Sequence, residues 1–102
     1  MTFQRQWPAR AFTIRCEGDA PCLIIAKGRD RWALEALMAA GPNGCTPINN
    51  PAPRWAAYIH NLRALGVAID TITEKHGGPF AGHHARYVLR CHVTAGREGG
   101  AA

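Results

Sequence analysis

Arg54-Trp55-Ala56-Ala57-Tyr58-Ile59-His60-Asn61-Leu62-Arg63-Ala64-Leu65-Gly66 reads as one long helix and its stop. At about 100° per residue, Trp55, Ile59 and Leu62 share one face, with Tyr58 and Leu65 at its edge. Arg54, Ala57, His60, Asn61 and Ala64 occupy the opposite face. Proline is harmless in a first helical turn, where the N–H groups lack partners inside the helix. The helix is therefore expected over about residues 52–65, following Pro51 and with Asn50 as a cap. Gly66 can adopt the left-handed backbone that ends helices.

The elements on either side follow from this helix. Upstream, Asp30 can cap a helix running to about Ala40, with Leu34, Leu37 and Met38 at helical spacing. Gly41-Pro42 stops it, and Asn43-Gly44 continues the turn. Thr46-Pro47 is a cap followed by proline at the first helical position, and Pro51 and Pro53 limit that piece to one turn. Downstream, Val67 to Glu74 is a strand by its β-branched content. Lys75 to His84 is a glycine-rich loop. In Ala85 to Val93, Tyr87, Leu89 and Cys91 alternate with Arg86, Val88 and Arg90, a second strand, which should pair with the first as a hairpin.

Nearer the N-terminus, Phe12, Ile14 and Cys16 alternate with Thr13 and Arg15. Glu17-Gly18-Asp19-Ala20-Pro21 is turn chemistry, and Cys22-Leu23-Ile24-Ile25-Ala26 is a short apolar run. Together these predict a β-hairpin over 11–26. Residues 1–10 show no period and are expected to be flexible. The tail from Thr94 to Ala102 offers nothing to bury and is expected to be disordered. The folded domain would then span 11–93.

The resulting order is helix, one-turn helix, long helix, two-stranded wing. This is the α+β winged helix-turn-helix arrangement, here with an added N-terminal hairpin. Two helices alone cannot bury their apolar faces in so short a chain, and the hairpin closes the core. The long helix keeps one face toward solvent, free to enter a groove.

Over about residues 29–93 the chain also resembles small winged-helix domains of bacterial and prophage proteins. The stretches that carry the likeness are Trp32-Ala33-Leu34-Glu35-Ala36-Leu37, Gly41-Pro42 through Gly44-Cys45-Thr46-Pro47-Ile48, Arg54 to Ile59, and Leu62-Arg63-Ala64-Leu65-Gly66-Val67. In such domains a leucine–arginine pair and a glycine end the recognition helix. A strand like Ile69-Asp70-Thr71 follows, and Arg86-Tyr87-Val88-Leu89 is similar to the returning wing strand. The resemblance implies nucleic-acid binding. The departure is Pro51 and Pro53, which are expected to set the recognition helix at an unusual angle.

Candidate DNA-contacting residues fall into two groups. Arg54, Ala57, Tyr58, His60 and Asn61 lie on the long helix, which would enter the major groove. Small alanines allow close approach, asparagine can pair bidentately with adenine, and arginine with guanine. Tyr58 could touch a phosphate or complete the core, and core is the preferred reading. Lys75, His83, His84 and Arg86 border the glycine loop, where cations and backbone N–H groups could touch phosphates. Arg86 could instead pair with Asp70 across the hairpin. Phe80, beside Pro79, is out of place in a solvated tip and points to folding back or to a partner.

Composition narrows the remaining options. The 102-residue, 11.1 kDa chain is 47% hydrophobic and carries 12 Lys+Arg against 7 Asp+Glu, a net charge of +5. Ten of the cations are arginine, whose planar fork suits phosphate and guanine. Residues 53–93 hold Arg54, Arg63, Lys75, Arg86 and Arg90 against Asp70 and Glu74. The length excludes a two-domain enzyme or a barrel. No apolar run could span a membrane, and the first residues lack a signal peptide's apolar core, so a cytoplasmic location is expected. Cys16, Cys22, Cys45 and Cys91 match no metal spacing, so neither a metal, a cofactor nor a required disulfide is expected. Cys16 and Cys22 could still face each other across the hairpin. No carboxylate pair with a supporting histidine and no phosphate-cradling loop suggests an enzyme. The expected function is that of a DNA-binding regulator or a phage- or mobile-element-associated accessory factor. The partner is double-stranded DNA, with a homodimer favoured for tight binding because one domain makes few phosphate contacts. The alternative is a protein–protein interaction module on the same scaffold.

Overall fold

The structure is a computed structural model. It describes residues 8–98, apart from 17, 19, 51, 53 and 78–81. The elements in order are β1 (Arg10–Arg15), β2 (Cys22–Ala26), α1 (Gly28–Ala40), a 3-10 turn (Gly41–Asn43), α2 (Trp55–Leu65), β3 (Ile69–His76), β4 (Gly82–Leu89) and β5 (His92–Glu98). They form a three-stranded antiparallel sheet in the order β2-β1-β5 and a two-stranded hairpin of β3 and β4.

The N-terminal hairpin follows its alternation. Phe12 and Ile14 on β1, and Ile24 and Ala26 on β2, are buried, while Thr13, Leu23 and Ile25 face outward. Cys22 stands opposite Ile14, so it does not face Cys16. Gly28 has φ +61, which takes the chain from β2 directly into α1. The cap position is extended Lys27, and Asp30 lies within the first turn, where its charge suits the helix dipole. The helix ends at Gly41 (φ +58), whose N–H donates to the Leu37 carbonyl.

Thr46 caps a single turn as its sequence suggests. Its Oγ1 accepts from the Asn49 N–H at 3.0 Å, and its carbonyl accepts from the Asn50 N–H at 2.8 Å. The long helix begins at Trp55, later than residue 52, because Arg54 holds a non-helical backbone (φ −141, ψ 49). It ends in a Schellman arrangement: the Gly66 N–H donates to the Arg63 carbonyl and the Val67 N–H to the Leu62 carbonyl. Gly66 is left-handed at φ +110. Leu62 and Val67, the apolar pair that accompanies this motif, are both buried.

The wing strands run further toward their tip than expected, so that Lys75, His83 and His84 lie on strands rather than in a loop. Phe80 lies outside the described residues. The C-terminal expectation needs a larger correction. Residues 94–98 belong to β5, which pairs with β1 through Ile14↔Val93, Thr13↔Thr94 and Phe12↔Ala95. This strand is held by its backbone ladder on β1, and within 92–96 Val93 and Ala95 are half-buried against the core. The break between β4 and β5 falls at Arg90-Cys91, where the Arg90 N–H donates to the Ala68 carbonyl at 2.9 Å. Residues 99–102 and 1–7 lie outside the described residues. Arg10, read as part of a loose end, is anchored in β1: it donates to the Gly96 carbonyl and to Glu35, and lies over the Phe12 ring.

One core joins all these elements. Leu34, Leu37, Trp55, Ile59, Leu62, Ile69 and Tyr87 are buried as expected, and Leu89 is half-buried. Val88, expected to point outward, is buried. The 3-10 turn and Gly44 pack against that side of β4. Four aromatic rings tie the helices to the wing. Trp55 stacks on Tyr87 (5.7 Å), lies 5.3 Å from Trp32, and donates its indole N–H to the Asn50 carbonyl at 2.6 Å. Cys45 bridges to Tyr87 by reciprocal backbone bonds of 2.9 and 2.8 Å, adding a one-residue third rung beside the wing.

Candidate nucleic-acid interface

Burying Trp55, Tyr58, Ile59 and Leu62 turns the other side of α2 to solvent. Arg54, Ala56, His60, Asn61, Arg63 and Ala64 are exposed there, and Ala57 is half-buried. Among the described residues, the side chains of Arg54 and His60 make no hydrogen bond or ion pair, so both are free for an external partner. Asn61 donates its amide to Asp30 Oδ1 at 3.2 Å on the open surface. That contact tethers the middle of α2 to the first turn of α1 and sets a carboxylate beside the exposed face. Tyr58 belongs to the interior. It is 8% exposed, with its ring edge-on to Trp32, and the core accounts for its place.

Arg63 was not singled out for a role in the sequence beyond its place before the helix stop. Its guanidinium folds over the helix end and donates to the Ile69 carbonyl (3.2 and 2.7 Å) and to Thr71 Oγ1 (2.8 Å). The root of the wing is thereby fixed to the C-terminus of α2. A cation in the last helical turn was the available signal, since it suits the carbonyl end of the dipole.

The wing residues divide by role. Lys75 and His83 face each other across the ladder, and both are exposed, with no side-chain partner among the described residues. His84 and Arg86 converge on Glu74, with His84 Nε2 3.0 Å from Oε1 and Arg86 Nε donating to Oε2 at 2.6 Å. Arg86 also donates to the Asn43 carbonyl at 2.5 Å, which ties the wing to the 3-10 turn. The pairing of Arg86 with Asp70 does not occur. From its place opposite Ile72, Arg86 has both Asp70 and Glu74 as diagonal neighbours; it pairs with Glu74, and Asp70 is held by Arg90 instead (2.7 Å). Hydrogen bonding by Arg86 is the main cause holding the Glu74 carboxyl below its usual range, and His84 adds to it against a partial burial cost. The same pairing raises Arg86 above the ordinary arginine value.

After these pairings the charge balance is clearer. Glu74 and Asp70 are matched by Arg86 and Arg90, which leaves Arg54, Arg63 and Lys75 as the uncompensated cations of the helix–wing half. Cys45 is fully buried, and burial pushes its thiol up, so it is not an activated nucleophile. Among the described residues no three of His, Cys, Asp and Glu come together as a metal site. Nor is any helix among them long and apolar enough to cross a membrane.

No curated protein and no solved structure matches the chain. A family model described as a winged helix domain matches residues 23–99, which span β2 through β5 and so include both helices and the wing. With that match across most of its length, the chain belongs to the winged-helix domain family.

Proposed function

We propose that this protein binds double-stranded DNA without catalysing a reaction, as a small transcriptional regulator or a mobile-element accessory factor. Helix α2 lies in the major groove and the β3–β4 wing lies along the phosphate backbone. The observation that carries this reading is the exposed face of α2. Ala57 and Ala64 keep that face low, so the helix can approach base edges, while Arg54 and His60 stand free on it. Lys75 and His83 supply the wing's contact with phosphate. Tyr58, His84 and Arg86 support these contacts from within the fold.

The test compares variants on a selected site and a scrambled duplex. Arg54→Ala and Asn61→Ala should each weaken the specific complex by about 1–3 kcal/mol and narrow the gap between the two duplexes. Lys75→Ala should weaken both duplexes alike and lower the salt slope by about one unit. Asp30→Ala frees the Asn61 amide and removes a carboxylate from the face, so it should tighten binding. Equal affinities for all four variants and the wild type would rule out this interface. The second reading, a protein-interaction module, has its own observation. Leu23 is 67% and Ile25 is 50% exposed on β2, an edge strand with no charge or proline to protect it.

A further inference from the structure

Pairing of β1 with β5 brings together two cysteines that lie far apart in the chain. The ladder runs Phe12↔Ala95, Thr13↔Thr94, Ile14↔Val93 and Arg15↔His92. Cys16 and Cys91 are the residues immediately beyond the last pair, Arg15↔His92, so continuing the same register sets them opposite each other. Alternation puts both thiols on the inner face of the sheet, in line with Phe12, Ile14, Val93 and Ala95. Both are half-buried and packed against the core. Directly opposed residues of an antiparallel pair sit close to the separation that a disulfide spans.

We propose that Cys16 and Cys91 form a reversible regulatory disulfide, made by exchange with a small-molecule disulfide of the glutathione type. Access comes from an open cleft of about 420 Å³ between the end of α1 and the β4–β5 connector, lined by Leu37, Met38, Pro42, Leu89, Cys91 and His92 among others. In the first step one protein thiolate attacks a sulfur of the small disulfide, forming a mixed disulfide and expelling one small thiolate. The second protein thiol loses its proton to solvent and attacks the protein sulfur of that mixed disulfide, expelling the second small thiolate. The protein loses two protons and two electrons, and one small disulfide becomes two small thiols.

Placement gives the bond its effect. Cys91 sits in the short connector between the wing strand β4 and the sheet strand β5, with its sulfur 3.9 Å from the Ala68 carbonyl. The link closes a loop that contains both helices and the whole wing, so it removes freedom mainly from the unfolded chain. The remaining cysteines do not compete: Cys22 is exposed and faces Ile14, and Cys45 is fully buried. Burial is also the main cause that pushes the Cys91 thiol up, which lowers its thiolate fraction and slows the exchange.

The native full-length chain is equilibrated in glutathione buffers of graded oxidation, trapped by alkylation and peptide-mapped. The expected result is one linkage, Cys16–Cys91, with Cys22 and Cys45 alkylated. The oxidised form should unfold about 10 °C higher than the reduced form. Cys22→Ser should keep both the linkage and the shift, and Cys91→Ser should lose both. The proposal fails if Cys16 and Cys91 stay alkylatable in the most oxidising buffer, if another pair links in their place, or if the linkage lowers the unfolding midpoint. The wild-type map is decisive by itself, whether or not a variant folds, and it does not depend on any nucleic-acid ligand.

Discussion

At Gly44 the backbone has φ +70, and a Cβ there would lie 2.5 Å from the Tyr87 carbonyl oxygen and 2.8 Å from Val88 Cγ2. Neither neighbour can withdraw, because Tyr87 is bridged to Cys45 and Val88 is buried. Gly44→Ala should therefore cost on the order of 3 kcal/mol, read from the denaturation midpoint, and an unchanged midpoint would mean the bridge is not formed. Leu62, fully buried at the end of α2, should cost about 2–5 kcal/mol as alanine. Glu35 carries the acid sensitivity of the N-terminal half. Burial raises its pKa, but hydrogen bonds from Arg31 (2.7 Å) and Arg10 (2.9 Å), with their charges, outweigh this and leave it below the ordinary carboxylate value. A carboxyl depressed on folding stabilises the protein above its unfolded pKa and loses that contribution as pH falls through the folded one. Glu35→Gln should lower stability near neutral pH and make it fall less steeply on acidification, measured as unfolding free energy against pH.

Two hydrogen-bonding arginines at the element scale hold the wing in place. Arg63 clips β3 to the end of α2, and Arg86 joins β4 to Glu74 and to the 3-10 turn. Arg86→Ala should let the Glu74 carboxyl return toward its ordinary pKa, with only His84 still lowering it, and a carboxyl-resolved NMR titration would show the rise. No rise would mean the pairing is absent in solution. Arg63→Ala should speed amide exchange at the root of β3 while leaving the centre of α2 protected. Much of this level was legible in the sequence. Gly66 marks a real helix stop, Thr46 a real cap, and the alternation around Tyr87 a real strand. What was hidden was tertiary. Thr94-Ala95-Gly96-Arg97-Glu98 has no apolar period that marks a strand; its pairing depends on the backbone groups that β1 offers. Val88 breaks the alternation because the 3-10 turn covers its side of β4. Asn61 was readable as a groove-facing residue, but its contact with Asp30 depends on how α1 crosses α2.

For the whole molecule, the two sheets and two helices share one core, and the aromatic cluster around Trp55 links α2 to the wing. That shared core is why the exposed face of α2 and the wing would meet a duplex as one rigid surface. The charge on that surface is modest, with Arg54, Arg63 and Lys75 left uncompensated by Glu74 and Asp70. A single domain should thus bind weakly and depend strongly on salt, because each neutralised phosphate releases counterions. The direct test is a fluorescence-anisotropy titration of the wild-type chain on a labelled random duplex at two salt concentrations. The expected result is measurable binding at low salt that weakens at higher salt with a log–log slope of about −0.9 per phosphate contacted. Absence of binding at low salt, or affinity independent of salt, would contradict the DNA-binding reading.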